Sequence, residues 1–337
     1  MKRIANVLIF PLLFSVMACS QPIKVILDTD MDSDIDDVAA IGLLHHFADL
    51  GEVEILATVS CSSDKKSIEV VDAINTYFNR PDIPVAVPNE DAPKHAWVLK
   101  SDVLSKEFPH DANADNSPSA VKTYRKILAN QPDNTVVIIS LGYLNNLKDL
   151  LLSEADEFSP LSGAELVAKK VSSYYCMGGS YPADEVPKEV KYGNFRPDPV
   201  STAYVNQHWP TKMVYTGGGP FAKAIQHGNA LKELPEGNIV RRAYELAKGD
   251  ISENWGHHSA DILTVWMAIR GTGDYFHETT FGYNEIDEYG ANTWKTDQDQ
   301  PNRSYISDLK EGMDYEEVAE LFESYLLKLD GNSNNVD

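Results

Sequence analysis

Between Asp28 and Asp37 the chain places six carboxylates within ten residues, Asp28-Thr29-Asp30-Met31-Asp32-Ser33-Asp34-Ile35-Asp36-Asp37, directly behind a short β-branched run, Lys24 to Leu27. Charge of one sign at this density repels itself unless a cation or a set of partners offsets it. The residues that follow are apolar at helical spacing, Val38, Ile41, Leu44 and Ala48, so the segment reads as strand, acidic loop, helix. Asp36 and Asp37 fall at the start of that helix, where carboxylates are expected to cap free backbone N–H groups and complement the dipole. Hard oxygen ligands in this number suit Ca²⁺ or Mg²⁺, whereas zinc would call for histidine or cysteine. A solvated acidic loop with an N-cap is the plainer alternative.

Further strands are expected at Val53 to Ser60, Thr135 to Leu141, Lys170 to Met177 and Lys212 to Thr216, most of them followed by Gly, Asn or Asp and then a helical pattern. Strand alternating with helix implies an α/β fold, a doubly wound, mostly parallel (mixed) open sheet. In such sheets ligands bind outside the carboxyl ends of the strands. Asp28 to Asp37, Ser60 to Asp64, Leu141 to Asn146 and Met177 to Ser180 all fall there. The polar stretch Pro109 to Pro118 has no periodicity and is a candidate mobile flap over that edge. The alternation runs without a linker, and 43% hydrophobic with 24% charged residues is ordinary for a globular chain, so one domain over residues 20–329 is expected, with a disordered tail at 330–337.

A formal net charge of −22 with no basic patch argues against nucleic acid as a partner. Met1-Lys2-Arg3, the apolar run Ile4 to Val16 and the small-residue tetrad Val16-Met17-Ala18-Cys19 read as a signal peptide over residues 1–18. The tetrad resembles a bacterial lipobox, which implies lipidation of Cys19, export, and a membrane association through that anchor alone at the periplasmic face of a bacterial membrane. Cys61 and Cys176 each end an expected buried strand and are read as free, buried thiols.

Sharper readings of the acidic cluster compete. A calcium loop of the EF-hand type needs glycine at its sixth and glutamate at its twelfth position. Counting from Asp28 those places hold Ser33 and Ala39, and from Asp30 they hold Ile35 and Ile41, so that reading fails. A haloacid-dehalogenase phosphatase also opens with strand-Asp-x-Asp, with Asp28 as nucleophile and Asp30 as acid, but Met31-Asp32 stand where Gly-Thr is usual. The stretch Val25 to Asp30 through Asp36-Asp37-Val38-Ala39-Ala40 resembles the opening signature of the nucleoside hydrolases, in a form with two extra residues before the paired aspartates. Ile139-Ser140-Leu141-Gly142-Tyr143-Leu144-Asn145-Asn146-Leu147 is similar to that family's Gly-x-Leu-Thr-Asn loop, Met177-Gly178-Gly179-Ser180 to its Met-Gly-Gly turn, and Asn194-Phe195 with Asp198-Pro199 to its Asn-x-x-x-Asp-Pro segment. Asp261 stands where the family has its distal metal aspartate, and Gly290 to Trp294 resembles a late strand, so the likeness runs from Val25 to Trp294 in consistent order.

That resemblance implies hydrolysis of an N-glycosidic bond of a ribonucleoside or related riboside. It implies Ca²⁺ held by Asp30, Asp37, Asp261 and the carbonyl of Leu141, with Asp30 also the general base for the attacking water. Asp36 and Asn194 are expected to bind ribose hydroxyls, Asp64 and Met177 to line the substrate site, and Asp34, part of the insertion, to be a further candidate metal ligand. Members of the family are often oligomeric. The chain departs from the family at Ala260, where many members carry the histidine that protonates the departing base, and at Tyr192, where a ribose-binding glutamate is usual. His258, next to His257 and just before Ala260, is the candidate acid, and His110 in the presumed flap is a further candidate contact. A non-catalytic nucleoside-binding protein that keeps the metal site is the other class left open. Gly217-Gly218-Gly219-Pro220 lacks the ending of a phosphate loop and reads as a turn, and Trp255, Trp266 and Trp294 are candidate base-stacking rings, Trp266 more simply core.

Overall fold

The computed structural model describes residues 21–31, 34–93, 100–181 and 193–329. The expected signal segment over residues 1–18, Cys19, Asp32, Tyr192 and the expected tail at 330–337 lie outside the described residues. From the N-terminus the chain runs β1 (Ile23–Thr29), α1 (Asp36–Asp49), β2 (Val53–Ser60), α2 (Lys65–Tyr77), β3 (Val85–Ala86), α3 (Ser101–Glu107), α4 (Ala120–Asn130), β4 (Val136–Ser140), α5 (Asn145–Leu152), α6 (Gly163–Lys170) and β5 (Val171–Cys176). It continues through α7 (Pro199–His208), β6 (Lys212–Tyr215), α8 (Pro220–Ala224), β7 (Gln226–His227), α9 (Ile239–Lys248), β8 (His257–His258) and α10 (Ala260–Arg270). The last elements are β9 (Phe276–Thr279), β10 (Tyr283–Ile286), β11 (Asn292–Lys295), β12 (Arg303–Leu309) and α11 (Tyr315–Leu326).

Eight strands form one sheet in the order β3-β2-β1-β4-β5-β6-β12-β9, parallel except for β9, which runs antiparallel to β12. The central strands are buried on both faces, so their apolar residues serve two cores: Val25 and Leu27 of β1 face one, Ile26 the other, and Val137 and Ile139 of β4 are divided from Val136 and Ile138 in the same way. Strand order reverses between β1 and β4, since β2 pairs on one side of β1 and β4 on the other. That is the switch point of a doubly wound sheet, where the loops leaving adjacent strands part and open a crevice. The acidic loop after β1 and the Leu141–Asn146 loop after β4 flank it. Gly142 permits their approach: a Cβ there would stand 2.6 Å from the Asp30 amide nitrogen and 2.4 Å from Cys61 Sγ.

Two expectations are corrected here. The cap of α1 is Ile35 with no side-chain cap bond, so Asp36 and Asp37 do not cap their own helix. The stretch from Pro109 to Pro118 is not loose, because Asp72 on α2 accepts the backbone N–H groups of Asp111 (2.8 Å) and Ala112 (3.0 Å). Cys61 and Cys176 are buried and unbridged.

Between α1 and α2, buried His45 contacts Asn75 Oδ1 at 3.0 Å and stacks on Phe78 with centroids 4.9 Å apart. Burial, reinforced by the Arg80 guanidinium, pushes its pKa down to about 3. The unfolded chain therefore takes up this proton near the ordinary value of 6.5 and the folded chain does not, so stability is lost as pH falls below that value. Urea unfolding at descending pH is expected to show a decline to which His45 contributes up to about 1.4 kcal/mol per pH unit, and which His45→Gln makes shallower. An unchanged slope in the variant would exclude His45 as a source.

Candidate functional site

Three carboxylates from two helix N-termini meet above the switch point. Asp36 and Asp37 open α1, Asp261 lies in the first turn of α10, and one oxygen from each lies within 4.8 Å of the others. All are 1–2% exposed, as is Asp30 at the end of β1. Partners fix one side of each group. Asp37 Oδ1 accepts from the Thr29 hydroxyl, and Asp36 Oδ2 accepts from the Asp261 N–H at 3.2 Å, so Asp36 caps α10 and ties the two helix starts together. The opposite oxygens, Asp36 Oδ1, Asp37 Oδ2 and Asp261 Oδ1, are buried without a hydrogen bond among the described residues.

Buried, unbonded carboxylate oxygens of one sign cost several kcal/mol unless compensated. Accordingly burial and then the charges of Asp30 and Asp36 hold Asp37 well above the usual carboxylate range, and burial with the charges of Asp36, Asp37 and Asp30 does the same to Asp261. An all-oxygen set in which one oxygen from each acid lies within 4.8 Å of the others fits a hard divalent cation. The Leu141 carbonyl belongs to the same wall, and it accepts the Asn194 amide at 2.6 Å. Asn194 also donates to Met177 O at 3.1 Å, which leaves its Oδ1 as the atom able to accept from a ligand hydroxyl.

His257 and His258 form β8, which pairs antiparallel with β7, and they project beside the acids, not into α10. His258 Nε2 lies 3.1 Å from Asp34 Oδ2 and its Nδ1 3.3 Å from Asp36 Oδ2. Burial opposes its positive charge, but Asp36 and Asp34 outweigh burial and push its pKa up to about 10, so it stands as imidazolium at neutral pH. The carboxyl of Asp34, raised by burial, is brought below its ordinary value by bonds to both histidines. His257 Nε2 lies 2.7 Å from Asp34 Oδ1, and its Nδ1 faces Lys248 Nζ at 3.1 Å. Behind them buried His227 bridges Ser259 Oγ (2.8 Å) and the Tyr244 hydroxyl, anchoring the turn from β8 into α10. No local pattern in the sequence marks that network, since its members lie on separate elements.

A cleft of about 850 Å³ opens onto this constellation, bordered by Asp34, Asp36, His258 and Asp261, by Leu141, Met177 and Asn194, and by Arg196, Lys223, Glu288 and Tyr289. The last four carry no sequence motif and were not expected. Two anticipated contacts fall elsewhere. His110 stands 3.7 Å from Glu69 in a separate hollow with Lys65, Lys66 and Asn113, and Asp64 caps α2 by accepting the Lys66 N–H at 2.7 Å. None of Trp255, Trp266 and Trp294 borders the cleft. Asp28 is wholly buried, bonded by the Tyr124 hydroxyl (2.8 Å) and Asn146 (3.0 Å), and burial pushes its pKa up to about 7. A side chain so enclosed cannot accept a phosphoryl group, which removes the phosphatase reading.

Comparison with known structures finds the same fold at low identity. A plant nucleoside hydrolase superposes with a TM-score of 0.67 at 16% identity, covering 91% of this chain and 98% of its own. The inosine-uridine preferring nucleoside hydrolase from Bacillus anthracis gives 0.65 at 15% identity, covering 91% and 99%. The purine-preferring ribonucleoside hydrolase from Gardnerella vaginalis gives 0.67 at 12% identity, covering 92% and 98%. No curated protein sequence matches the chain. The model of the family described as inosine-uridine preferring nucleoside hydrolase matches residues 25–312, and with the buried acids at the switch point this makes the chain a member of that family, a hydrolase of N-glycosyl bonds.

Proposed function

We propose that the protein hydrolyses the N-glycosidic bond of a ribonucleoside or a closely related riboside with Ca²⁺ as its cofactor. The observation that carries the reading is the pair of open, buried oxygens on Asp37 and Asp261, clustered with Asp36 behind a cleft that Asp36, Asp261 and His258 border. Asp30, Asp37, Asp261 and the Leu141 carbonyl would hold the ion, with Asp36 and Asp34 at its edge. When bound, it neutralises the cluster and makes water more acidic. Asp30 serves as the base that takes a proton from the attacking water. Asn194 Oδ1 and Asp36 bind sugar hydroxyls, and His258 carries the proton for the departing base. Oxygen ligands alone favour Ca²⁺ over zinc, which selects histidine or cysteine.

The test is release of free ribose by protein lacking residues 1–18, offered a panel of nucleosides and p-nitrophenyl riboside in Ca²⁺ or in EDTA. Ca²⁺-dependent release that Asp37→Ala reduces by at least about 10³-fold supports the reading. Metal binding without release from any substrate would instead favour a non-catalytic binding protein or a different sugar. The reading also includes export and tethering through Cys19. Activity that stays in the soluble fraction of cells carrying the full chain would overturn that part.

A further inference from the structure

We propose that Tyr289 and Glu288, at the tip of the β10–β11 hairpin, form a subsite for a planar aromatic ring, on which the ring of the ligand stacks while its sugar is held at the acids. The inference rests on the ribose-binding reading above and adds which residues recognise the rest of the ligand.

The hairpin tip is built as a fixed platform. Asp287 Oδ1 accepts the N–H groups of Tyr289 (2.9 Å) and Ala291 (2.8 Å), the Asp287 N–H donates to Ala291 O (2.9 Å), and the Gly290 N–H donates to Asp287 O (3.0 Å). Gly290 has φ +77°, and a Cβ there would stand 2.5 Å from Phe195 O and 2.9 Å from Arg196 Cα. The tip is thus seated backbone to backbone on the segment that carries Asn194. Two residues on, the Asn292 side chain accepts the Ser180 N–H at 2.8 Å and donates to the Ser180 carbonyl at 2.9 Å, locking β11 to the turn after β5.

On this platform Tyr289 is 66% exposed, yet it borders the cleft. Among the described residues it is the one Phe, Tyr or Trp that does so. The other aromatic rings of this face, Trp294 with Tyr181, Tyr215 and Tyr305, pack on one another. Contacts lead stepwise from the acids to the tip: Gly142 lies against Asp30, the Leu141 carbonyl accepts Asn194, and Phe195 and Arg196 abut Gly290. A ligand anchored by its sugar at Asp36 and Asn194 therefore extends along a wall that ends at the Tyr289 ring, carried on a fixed backbone, beside the Glu288 carboxylate. Such a face binds a planar ring with little loss of freedom, and Glu288 accepts from ring N–H groups.

Titration calorimetry on the Ca²⁺-loaded protein tests this with probes that are not consumed: ribose, the C-nucleosides formycin and pseudouridine, which carry a ring on C1, and 5-O-benzoylribose, which carries one on the other side. The expected result is that at least one ring-bearing probe binds about tenfold or more tighter than ribose, that Tyr289→Ala removes that advantage to within about twofold, and that Tyr289→Phe retains it. Whichever probe shows the effect tells which end of the sugar faces the hairpin. The proposal is overturned if rings add nothing to wild-type binding, if Tyr289→Ala binds rings as the wild type does, or if the variant loses ribose in parallel. Failure of the hydrolase reading is seen separately, as absence of ribose release by the wild type from every nucleoside.

Discussion

Asp30→Asn is expected to lower kcat on ribonucleosides by about 10²–10⁴-fold while making the cation-free protein more stable. Asp30 is 1% exposed, and its charge helps to drive Asp37 and Asp261 above the usual carboxylate range. An amide of the same size removes the proposed base and one member of a like-charged cluster together. In EDTA the repulsion is what remains, so the variant should melt above the wild type, by about 1.5 °C for each kcal/mol in a chain of this size. With Ca²⁺ the order should reverse, because a ligand that binds only the folded state adds stability in proportion to its affinity, and the variant has lost a charged oxygen donor. Calorimetric melting with and without Ca²⁺, beside ribose release, reads both effects. A variant that keeps its kcat would sink the base assignment, and one that melts earlier in EDTA would show Asp30 to be held by bonds stronger than the repulsion around it.

Much of this arrangement was legible in the chain because the relevant signals are local. β2 was read to the residue, β1, β4, β5 and β6 to within one or two, and the loops that follow them supply most of the cleft wall. The acids were recognisable because six carboxylates behind an apolar strand have few uses. What stayed hidden depends on partners distant in sequence. Asp36 caps α10, 225 residues away, and not its own helix. β12 enters the sheet beside β6 after the long excursion through α10 and the hairpin, leaving β9 as the antiparallel edge. His110 was expected near the site because its segment is polar, bounded by prolines and without periodicity, yet Asp72 holds the neighbouring backbone over α2. Tyr289 sits in a short acidic turn with no periodicity, and only the seat of Gly290 on Phe195 brings it to the cleft.

The two adjacent histidines can be told apart by what each nitrogen faces, and this leads to the second large effect. His257 turns Nδ1 to the Lys248 ammonium and Nε2 to Asp34, so its ring is enclosed by charges of the protein. His258 borders the cleft, about a quarter exposed, with its two nitrogens against Asp34 and Asp36. A ligand hydroxyl or ring nitrogen that displaces Asp34 from Nε2 receives a charged N–H donor, the group needed where a departing base must gain a proton. Many members of the family place that donor beside the distal aspartate, where this chain has Ala260, and β8 offers one, His258, from two residues before it. His258→Gln is therefore expected to reduce kcat/KM on nucleosides by about 10²–10⁴-fold, but by less than about tenfold on p-nitrophenyl riboside, whose leaving group departs as a stable anion. His257→Gln should leave the ratio between the two substrates near its wild-type value. Equal losses on both substrates in His258→Gln would mean that the ring serves the acidic cluster as a counter-charge and gives no proton to the leaving group. The ratio between substrates separates the two roles even if the variant is less stable, because a smaller folded fraction lowers both rates alike.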